Sequence, residues 1–305
     1  MKELVIISGK GGTGKTSLTA SFAALAGGAV LVDCDVGAAD LHLILKPNVR
    51  DRHVFMSGHE AIIRQTDCIG CGTCLVNCRF EAVRPLPQAD GGAFLIDPIF
   101  CEGCGVCADT CPVKAIDFPE QVAGEWYESD TRHGPLVHAR LNIGAEHSGK
   151  LVHVVRQEAR RVAEAERREL VIVDGPPGVG CPAIASITGA SLVLVVTEPT
   201  MSGEHDLERA LQLARHFQIP TAVCVNKWDL NAEMTDRIEG LAQQAGASVA
   251  GRIRYDRAFT QAQLAEQAVV EYKADGCAED IRYVWTNVKS MLDRLVKKLQ
   301  EERTI

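Results

Sequence analysis

Residues 8–16, Ser8-Gly9-Lys10-Gly11-Gly12-Thr13-Gly14-Lys15-Thr16, decide the fold of the larger part of this 305-residue chain. They follow an apolar run at residues 4–7 and satisfy the pattern G-x-x-x-x-G-K-[ST], whose glycines let backbone N–H groups close around phosphates. In such a loop Lys15 reaches the β and γ phosphates and Thr16 places its hydroxyl on Mg²⁺. Residues 17–26 are small and apolar and predict a helix, which would place the phosphates at a helix N-terminus. The predicted nucleotide-binding residues are Gly9, Lys10, Gly11, Gly12, Thr13, Gly14, Lys15, Thr16 and Ser17.

The second position of this loop is a lysine, Lys10. The run GKGGTGKT at residues 9–16 resembles the deviant Walker A motif of the group that contains MinD, ParA and the nitrogenase iron protein. The resemblance implies that Lys10 reaches across a nucleotide-sandwiched dimer to the phosphates of the partner. It also implies an ATPase that uses Mg²⁺ and forms a homodimer, or a heterodimer with a similar subunit.

Further segments resemble the same group, over most of residues 1–55 and 145–275. Asp35 stands where the group keeps a carboxylate beside the attacking water, and Asp40 lies near its switch I position. Residues 170–178 resemble a Walker B strand that runs into switch II, which implies that Asp174 bonds a water on Mg²⁺. Without the phosphate loop, Asp33, Asp35 and Asp40 would be explained equally well as strand-end and turn acids. With the loop, the resemblance implies the catalytic residues Lys10, Lys15, Asp35 and Asp174 and the magnesium residues Thr16, Asp35 and Asp174.

The nucleotide base is addressed by one further segment. Asn226 follows an apolar run at residues 222–225 and matches a base-contacting position of the group. Residues 226–229, Asn-Lys-Trp-Asp, also match the NKxD motif with which GTPases read guanine. Lys10 favours ATP through the family resemblance, and GTP stays open.

Eight cysteines in the middle of the chain form two copies of the pattern C-x-x-C-x-x-C-x-x-x-C, 33 residues apart. Three thiolates spaced in this way wrap one cuboidal iron-sulfur cluster, whereas the fourth is carried away and ligates the other cluster. The segment resembles a bacterial two-cluster ferredoxin. The predicted ligands are Cys68, Cys71, Cys74 and Cys111 for one 4Fe-4S cluster, and Cys78, Cys101, Cys104 and Cys107 for the second.

Zinc and disulfides are the alternatives for these cysteines. Zinc sites usually take four ligands as two separated pairs and often include His, whereas each motif here packs four cysteines into eleven residues without His. Disulfides need an oxidising compartment, and we see no cleavable signal peptide before the strand that opens the chain. We therefore expect iron-sulfur clusters, and the resemblance to the MinD and ParA group implies a cytoplasmic location.

Both signals on one chain predict its organisation. Short apolar runs alternate with helix-period stretches such as residues 150–169 and 204–216, which is typical of a mostly parallel α/β sheet covered on both faces. We expect a doubly wound P-loop NTPase domain at residues 1–59 and 126–305. We expect an inserted α+β ferredoxin domain at residues 60–125, with turns at 89–92 and a short strand at 93–96.

Charge and hydropathy limit the kinds of partner that we expect for this chain. The chain has 40 acidic and 32 basic residues, a net charge of −8; this gives no reason to expect nucleic acid, whose binders show a basic face. It suits an electron carrier that docks on a complementary redox partner. The apolar runs are far too short to span a membrane. The C-terminal stripe of Ile281, Val284, Val288, Leu292, Leu295 and Leu299 could resemble a membrane-targeting tail, and we expect instead that it packs on its own sheet.

Cys181 lies seven residues after Asp174, the spacing at which the nitrogenase iron protein keeps a cluster-ligating cysteine in switch II. A turn at residues 180–182 would explain it as well, so its approach to a cluster or a partner is a minor hypothesis. As a whole the chain resembles MinD-superfamily ATPases with an inserted ferredoxin domain. We expect an ATPase that couples hydrolysis to electron transfer through two 4Fe-4S clusters; a cluster scaffold or carrier, and a MinD- or ParA-like spatial organiser, stay open.

Overall fold

The computed structural model describes residues 1–87, 93–145 and 147–303; the turn expected at residues 89–92 lies outside them. The helices are α1 Lys15–Ala26, α2 Leu41–Leu45, α3 Thr73–Asn77, α4 Val106–Thr110, α5 Ser148–Ala165, α6 Cys181–Ile187, α7 Met201–His216, α8 Ala232–Gln244, α9 Ala258–Leu264, α10 Val269–Tyr272 and α11 Cys277–Arg303. The strands are β1 Lys2–Ser8, β2 Val30–Asp33, β3 Asn48–His59, β4 Ile62–Ile63, β5 Val83–Pro85, β6 Phe94–Ile96, β7 Ile116–Asp117, β8 Glu120–Thr131, β9 Gly134–Leu141, β10 Leu170–Pro177, β11 Leu192–Thr197, β12 Thr221–Asn226 and β13 Ser248–Ile253.

The main sheet of the described residues has nine strands in the order β13-β12-β11-β1-β10-β2-β9-β8-β3. Every neighbouring pair from β13 to β9 is parallel. The central strands are continuous apolar runs because helices cover both of their faces. The predicted phosphate-binding residues follow β1 and so lie at the carboxyl ends of the strands, where open parallel sheets bind ligands. The predicted mostly parallel α/β fold is confirmed.

The C-terminal helix packs on this sheet. Val284, Val288 and Leu292 of α11 are buried in the same core as Leu4 and Ile6 of β1. Trp285 lies with its ring centroid 4.9 Å from that of Phe22 of α1. The apolar stripe of α11 is thus a core face, as expected, although Leu299 lies outside the side chains that the structure describes. Within the described part of the chain, the helices are all too short or too polar to cross a membrane.

The chain divides into two compact units. The larger unit contains residues 1–53, 125–141 and 148–303, and the smaller unit contains the described residues of 54–124 and 142–147. The division falls within β3 and within β8, which both continue across it in sequence. The insertion expected at residues 60–125 stays a prediction.

The smaller unit repeats its backbone at the same 33-residue interval as its cysteines. Strand β4 pairs antiparallel with β7, and β5 pairs antiparallel with β6; α3 and α4 begin 33 residues apart. The Arg64 N–H donates to the Ala115 carbonyl at 2.8 Å, and the Asp97 N–H donates to the Ala82 carbonyl at the same distance. Three pairs share a positive φ in the left-handed region: Gly70 and Gly103 at 69° and 59°, Gly72 and Gly105 at 75° and 78°, and Glu81 and Lys114 at 55° and 53°. Cys78 and Cys111 share an extended backbone.

Candidate functional site: a phosphate-loop cleft and a duplicated cysteine unit

A cleft of about 470 Å³ opens at the carboxyl ends of the central strands of the larger unit. The loop between β1 and α1 forms one wall, and loops after β2, β12 and β13 form the others. The sequence-predicted residues that line it are Gly11, Gly12, Thr13, Gly14, Lys15, Thr16, Ser17, Asp35, Asp40 and Asn226. Lys10 and Asp174 are placed around this loop by the contacts described below. Gly9 packs closely against α7, where an added Cβ would overlap the Cβ of Asp206.

The shape of the phosphate loop requires Gly14. Its φ is 88°, in the left-handed region, and an added Cβ would lie 2.5 Å from Nδ2 of Asn226. The same Nδ2 donates to the Thr13 carbonyl at 2.8 Å. Asn226 therefore fixes the backbone of the loop, a role that the sequence analysis did not foresee when it expected a base contact.

Lys15, Thr16 and Asp174 converge at the floor of the cleft. The Lys15 Nζ lies 3.0 Å from Oδ1 of Asp174 and 3.9 Å from Oδ2 of Asp35. The Thr16 hydroxyl donates to Oδ2 of Asp174 at 2.7 Å, and the Thr19 hydroxyl donates to Oδ1 at 2.9 Å. An ammonium, a hydroxyl and two carboxylates held this closely are the side chains that a magnesium–phosphate group needs.

Charge is concentrated at this floor. Burial alone would lower the pKa of Lys15, but Asp174, Asp33 and Asp35 together raise it above its ordinary value. Burial raises the pKa of Asp35 to about 6; Asp174 and Asp40 add to the rise and Lys15 opposes it. Burial, with Asp174 close by, raises the pKa of Asp33 to about 7. The carboxyl groups thus crowd one another, and a divalent cation among them would relieve that repulsion.

Asp33 holds the loop that carries Asp35. Its Oδ1 accepts the Asp35 N–H at 3.0 Å and its Oδ2 accepts the Leu41 N–H at 3.1 Å. Asp33 is fully buried and spans both ends of the segment between β2 and α2. Asp40, the candidate near switch I, immediately precedes α2 and lines the cleft.

Lys10 has partners within its own chain. Its Nζ lies 2.6 Å from Oε1 of Glu198 and 3.0 Å from the Ser202 hydroxyl. Lys227 contacts the other oxygen of Glu198 at 2.9 Å and the Gly12 carbonyl at 3.2 Å. Burial alone would raise the pKa of Glu198, but the ammonium groups of Lys10 and Lys227 lower it below its ordinary value. Glu198 therefore holds both lysines at the loop after β11. No signal in the sequence marks this role of Glu198.

The cysteine motifs lie in the smaller unit. Cys68, Cys71, Cys74 and Cys111 line one small cavity together with Ile63, Phe94 and Ile116. Cys78, Cys101 and Cys107 pack against the same apolar core, and Cys104 is exposed. The Ala115 N–H donates to Sγ of Cys111 at 3.3 Å. Throughout residues 1–87, 93–145 and 147–303, no three His, Cys, Asp or Glu side chains are arranged to hold a metal ion.

Comparison with known proteins identifies the family. Residues 4–269 match the CobQ/CobB/MinD/ParA nucleotide-binding domain. The chain belongs to this family. It is 36% identical over 237 residues to the uncharacterized protein MJ0578 of Methanocaldococcus jannaschii. The matched segment covers 75% of this chain and 79% of the relative.

Two solved structures share the fold of this CobQ/CobB/MinD/ParA chain. The cell division ATPase MinD of Pyrococcus furiosus matches with a TM-score of 0.57 and 17% identity, over 95% of this chain and 99% of that one. The septum site-determining protein MinD of Pyrococcus horikoshii, complexed with Mg-ADP, matches with a TM-score of 0.56 and 16% identity, over 94% and 95%. These two structures confirm the predicted MinD-like fold, and the family match at residues 4–269 confirms the predicted membership of the MinD/ParA group.

Within this CobQ/CobB/MinD/ParA domain, the sequence analysis missed one wall of the cleft. Residues 254–256 and Phe259, Thr260 and Gln263 line it, after β13 and along α9. The Gln263 Nε2 donates to the Ser17 hydroxyl at 3.0 Å. No motif marks these residues, since a wall of mixed aromatic and polar side chains has no fixed spacing in sequence.

Cys181 begins α6, and its side chain is exposed. It follows the switch II segment and lies next to Gly149 near the start of α5, where an added glycine Cβ would be 3.6 Å from Cys181 Cβ. Its approach to a cluster or a partner stays a prediction.

Proposed function

We propose that the protein is an ATPase that couples binding and hydrolysis of Mg-ATP to electron transfer through two 4Fe-4S clusters. The observation that carries the proposal is the presence, on one chain, of a phosphate-loop cleft and a cysteine unit whose backbone is duplicated together with its two cysteine motifs. The cysteine unit has no evident use in nucleotide chemistry. A duplicated set of cysteine loops suits two resident clusters.

The nucleotide half of the proposal rests on the floor of the cleft. Lys15 would move from Asp174 to the β and γ phosphates, and Thr16 would bind Mg²⁺ directly. Asp174 would hold a water on the metal, and Asp35 would orient the attacking water. Fold likeness to a MinD complexed with Mg-ADP supports the same ligand here.

The base is better explained as adenine than as guanine. The aspartate of an NKxD motif must be free to read guanine, whereas Oδ1 of Asp229 accepts the Tyr255 N–H at 2.6 Å. Asn226 is likewise engaged with the Thr13 carbonyl. Both side chains therefore serve the walls of the cleft, which supports ATP.

The cysteine half rests on which side chains are gathered. The cavity of Cys68, Cys71, Cys74 and Cys111 takes three cysteines from the first motif and the last from the second, which is the exchange expected of a two-cluster module. A cuboidal cluster takes one thiolate at each of four corners, so its ligands stand farther apart than those of a single ion. Four cysteine side chains on the lining of one cavity are the donor set that a cluster of this kind needs. When bound, such clusters accept and donate single electrons.

The partners follow from charge and from Lys10. Residues 54–124 carry nine acidic and four basic side chains, a large share of the chain's net charge of −8. This segment would dock on a redox protein with a basic surface. Lys10 would leave Glu198 and reach the phosphates of a second nucleotide domain, in a homodimer or a heterodimer with a similar subunit.

The decisive experiment is anaerobic purification followed by iron, sulfide and ATPase measurements. We expect about eight irons per chain, since two 4Fe-4S clusters require that number, and an EPR signal on reduction with dithionite. A single bound zinc, or iron that never exceeds trace amounts after reconstitution, would exclude the redox function.

Two alternatives are separated in the same preparation. A cluster carrier would lose its iron to an apo-acceptor protein during incubation, whereas a redox protein would keep it. A spatial organiser would sediment with lipid vesicles in the presence of ATP. We expect the protein to keep its iron, because eight cysteines in two motifs suit resident clusters. We expect no sedimentation with vesicles, because α11 already buries its apolar stripe in the core.

A further inference from the structure

The two cysteine loops of the smaller unit repeat each other in backbone conformation but are contacted by different residues. In the second loop, residues 101–107, a Cβ added at Gly103 would lie 2.5 Å from the carbonyl oxygen of His59. One added at Gly105 would lie 3.2 Å from the ring of Phe118. The second loop therefore rests directly on the backbone of His59 and on the face of Phe118.

The first loop, residues 68–74, is held by other means. A Cβ added at Gly70 would lie 3.2 Å from the Cβ of Ala93, and one added at Gly72 would lie 3.8 Å from the ring of Phe94. Ala93 and Phe94 stand at the start of β6, between the two cysteine motifs. The first loop is thus gripped from within the cysteine segment, and less tightly.

His59 and Phe118 stand where the chain enters and leaves that segment. His59 is the last residue of β3, and Phe118 comes two residues before β8. Their rings stack with centroids 4.7 Å apart and planes 13° apart. The Glu60 N–H donates to the Pro119 carbonyl at 3.2 Å and fastens the two crossings to each other.

Strand β3 also begins close to the nucleotide cleft in sequence. It follows α2 after two residues, and α2 is the helix whose first N–H is held by Asp33. Loops that sense the γ-phosphate change order and position with the nucleotide. Strand β3 is unbroken from Asn48 to His59 and is hydrogen-bonded to β8 along one side, so a shift of α2 would be passed along its backbone to His59.

From these contacts we infer that the second cysteine loop, and not the first, is the one whose surroundings change with nucleotide, and that His59 and Phe118 are its positioning residues. This inference rests on the proposed function. A shift of the backbone at Gly103 would change the hydrogen bonds to the sulfurs of Cys101, Cys104 and Cys107. Such hydrogen bonds and the exposure of the cluster set its potential.

The test compares the two loops within one sample. Hydrogen–deuterium exchange is measured under anaerobic conditions for peptides that cover residues 101–107 and 68–74, with and without a non-hydrolysable ATP analogue and Mg²⁺. We expect exchange to change in 101–107 and to stay the same in 68–74. In parallel, EPR-monitored redox titration should show that one of two midpoint potentials moves with the nucleotide.

Matched variants test whether the contact between Phe118 and the second cysteine loop carries the nucleotide response. Phe118→Leu should lose the nucleotide response of 101–107 and of the moving potential, and Phe118→Tyr, which keeps the ring, should restore both. Phe94→Leu makes the same change beside the first loop and should leave the nucleotide response intact. Retained iron content and an unchanged unfolding midpoint would show that each variant is folded.

The outcomes separate this inference from the proposed function. A chain that holds no cluster contradicts the function, and the exchange data then decide the inference alone. If the clusters are present and residues 68–74 respond to nucleotide, the inference is wrong. If the clusters are present and neither loop responds, the inference is also wrong, and in both cases the proposed function stands. A response of 101–107 that survives in Phe118→Leu overturns the role of Phe118.

Discussion

At the scale of single residues, Lys10 is expected to control self-association and hydrolysis. It is held by Glu198 and Ser202 of its own chain, so it must change partners before it can serve a second nucleotide site. We expect Lys10→Ala to bind ATP nearly normally but to lose ATP-dependent self-association and hydrolysis. The loss in rate should be on the order of 10³-fold, the contribution of a cation supplied in trans to phosphoryl transfer. Nucleotide titration, sedimentation and phosphate release measure the three quantities.

Two further variants control this prediction. Lys15→Ala should lose nucleotide binding itself, because Lys15 is the residue aimed at the phosphates. Glu198→Gln weakens the hold on Lys10 and should strengthen self-association at a given ATP concentration. If Lys10→Ala hydrolyses ATP at the parental rate, Lys10 does not act across a dimer.

Asp35 gives a prediction about pH. Its pKa is raised to about 6, first by burial, and orienting a water requires the ionised form. In the nucleotide-free protein the carboxylate is lost as the pH falls through about 6, so kcat/KM for Mg-ATP, which reports the free protein, should drop about tenfold per pH unit below that value. Asp35→Asn should bind ATP and hydrolyse it at least about 100-fold more slowly, without this pH dependence. A parental rate that stays constant from pH 5 to pH 8 would contradict the role of Asp35.

Single residues also mark the limit of sequence reasoning. Lys15, Thr16 and Asp35 were identified because a spacing or a family position names them. Glu198 and Gln263 were not, since each is defined by what it meets in space: Glu198 meets Lys10, and Gln263 meets Ser17. The base contact expected of Asn226 stays a prediction, and its hydrogen bond to the Thr13 carbonyl was not foreseen, because a motif records which residue is present and not which of its possible partners it takes.

At the scale of elements, α11 tests whether an amphipathic stripe is a core face. Leu292 is 2% exposed in the core beneath the sheet. We expect Leu292→Ala to lower the free energy of unfolding by about 2–5 kcal/mol, the cost of removing a buried leucine side chain. Leu264, which is 82% exposed, is the control, and Leu264→Ala should change stability by less than about 0.5 kcal/mol. Urea unfolding measures both, and equal effects would show that α11 is not part of the core.

The strands were easier to predict than their arrangement. Residues 4–7, 170–173 and 192–196 are continuous apolar runs, and each lies within a parallel strand, β1, β10 and β11. The short strand expected at residues 93–96 is β6, at Phe94–Ile96. The long strands β3, β8 and β9 were not predicted, because their mixed polar and apolar residues lack the runs that mark buried parallel strands. These three strands add to the edge of the sheet beyond β2.

At the scale of the whole molecule, chain order brings the two chemistries together. In sequence, the cysteine segment lies between α2 and β10, the strand that carries Asp174. The two loops that would sense the γ-phosphate in the proposed function thus flank it in sequence. The 33-residue repeat could be read directly from the cysteines, whereas the unequal grip on the two loops depends on His59 and Phe118, which carry no signature of their own.

This order predicts a linkage that can be measured in both directions. If ATP shifts the potential of a cluster, the redox state must shift the affinity for ATP by the same free energy. For a one-electron couple, a tenfold difference in affinity corresponds to roughly 59 mV. We expect the potential to differ by tens of millivolts between nucleotide-free and ATP-bound protein, trapped with Asp35→Ala to prevent hydrolysis. EPR-monitored titration and the ATP affinities of oxidised and dithionite-reduced protein must agree through that conversion. Superimposable titrations with equal affinities would mean that the two functions share a chain without equilibrium coupling, and that communication runs through the docked partner.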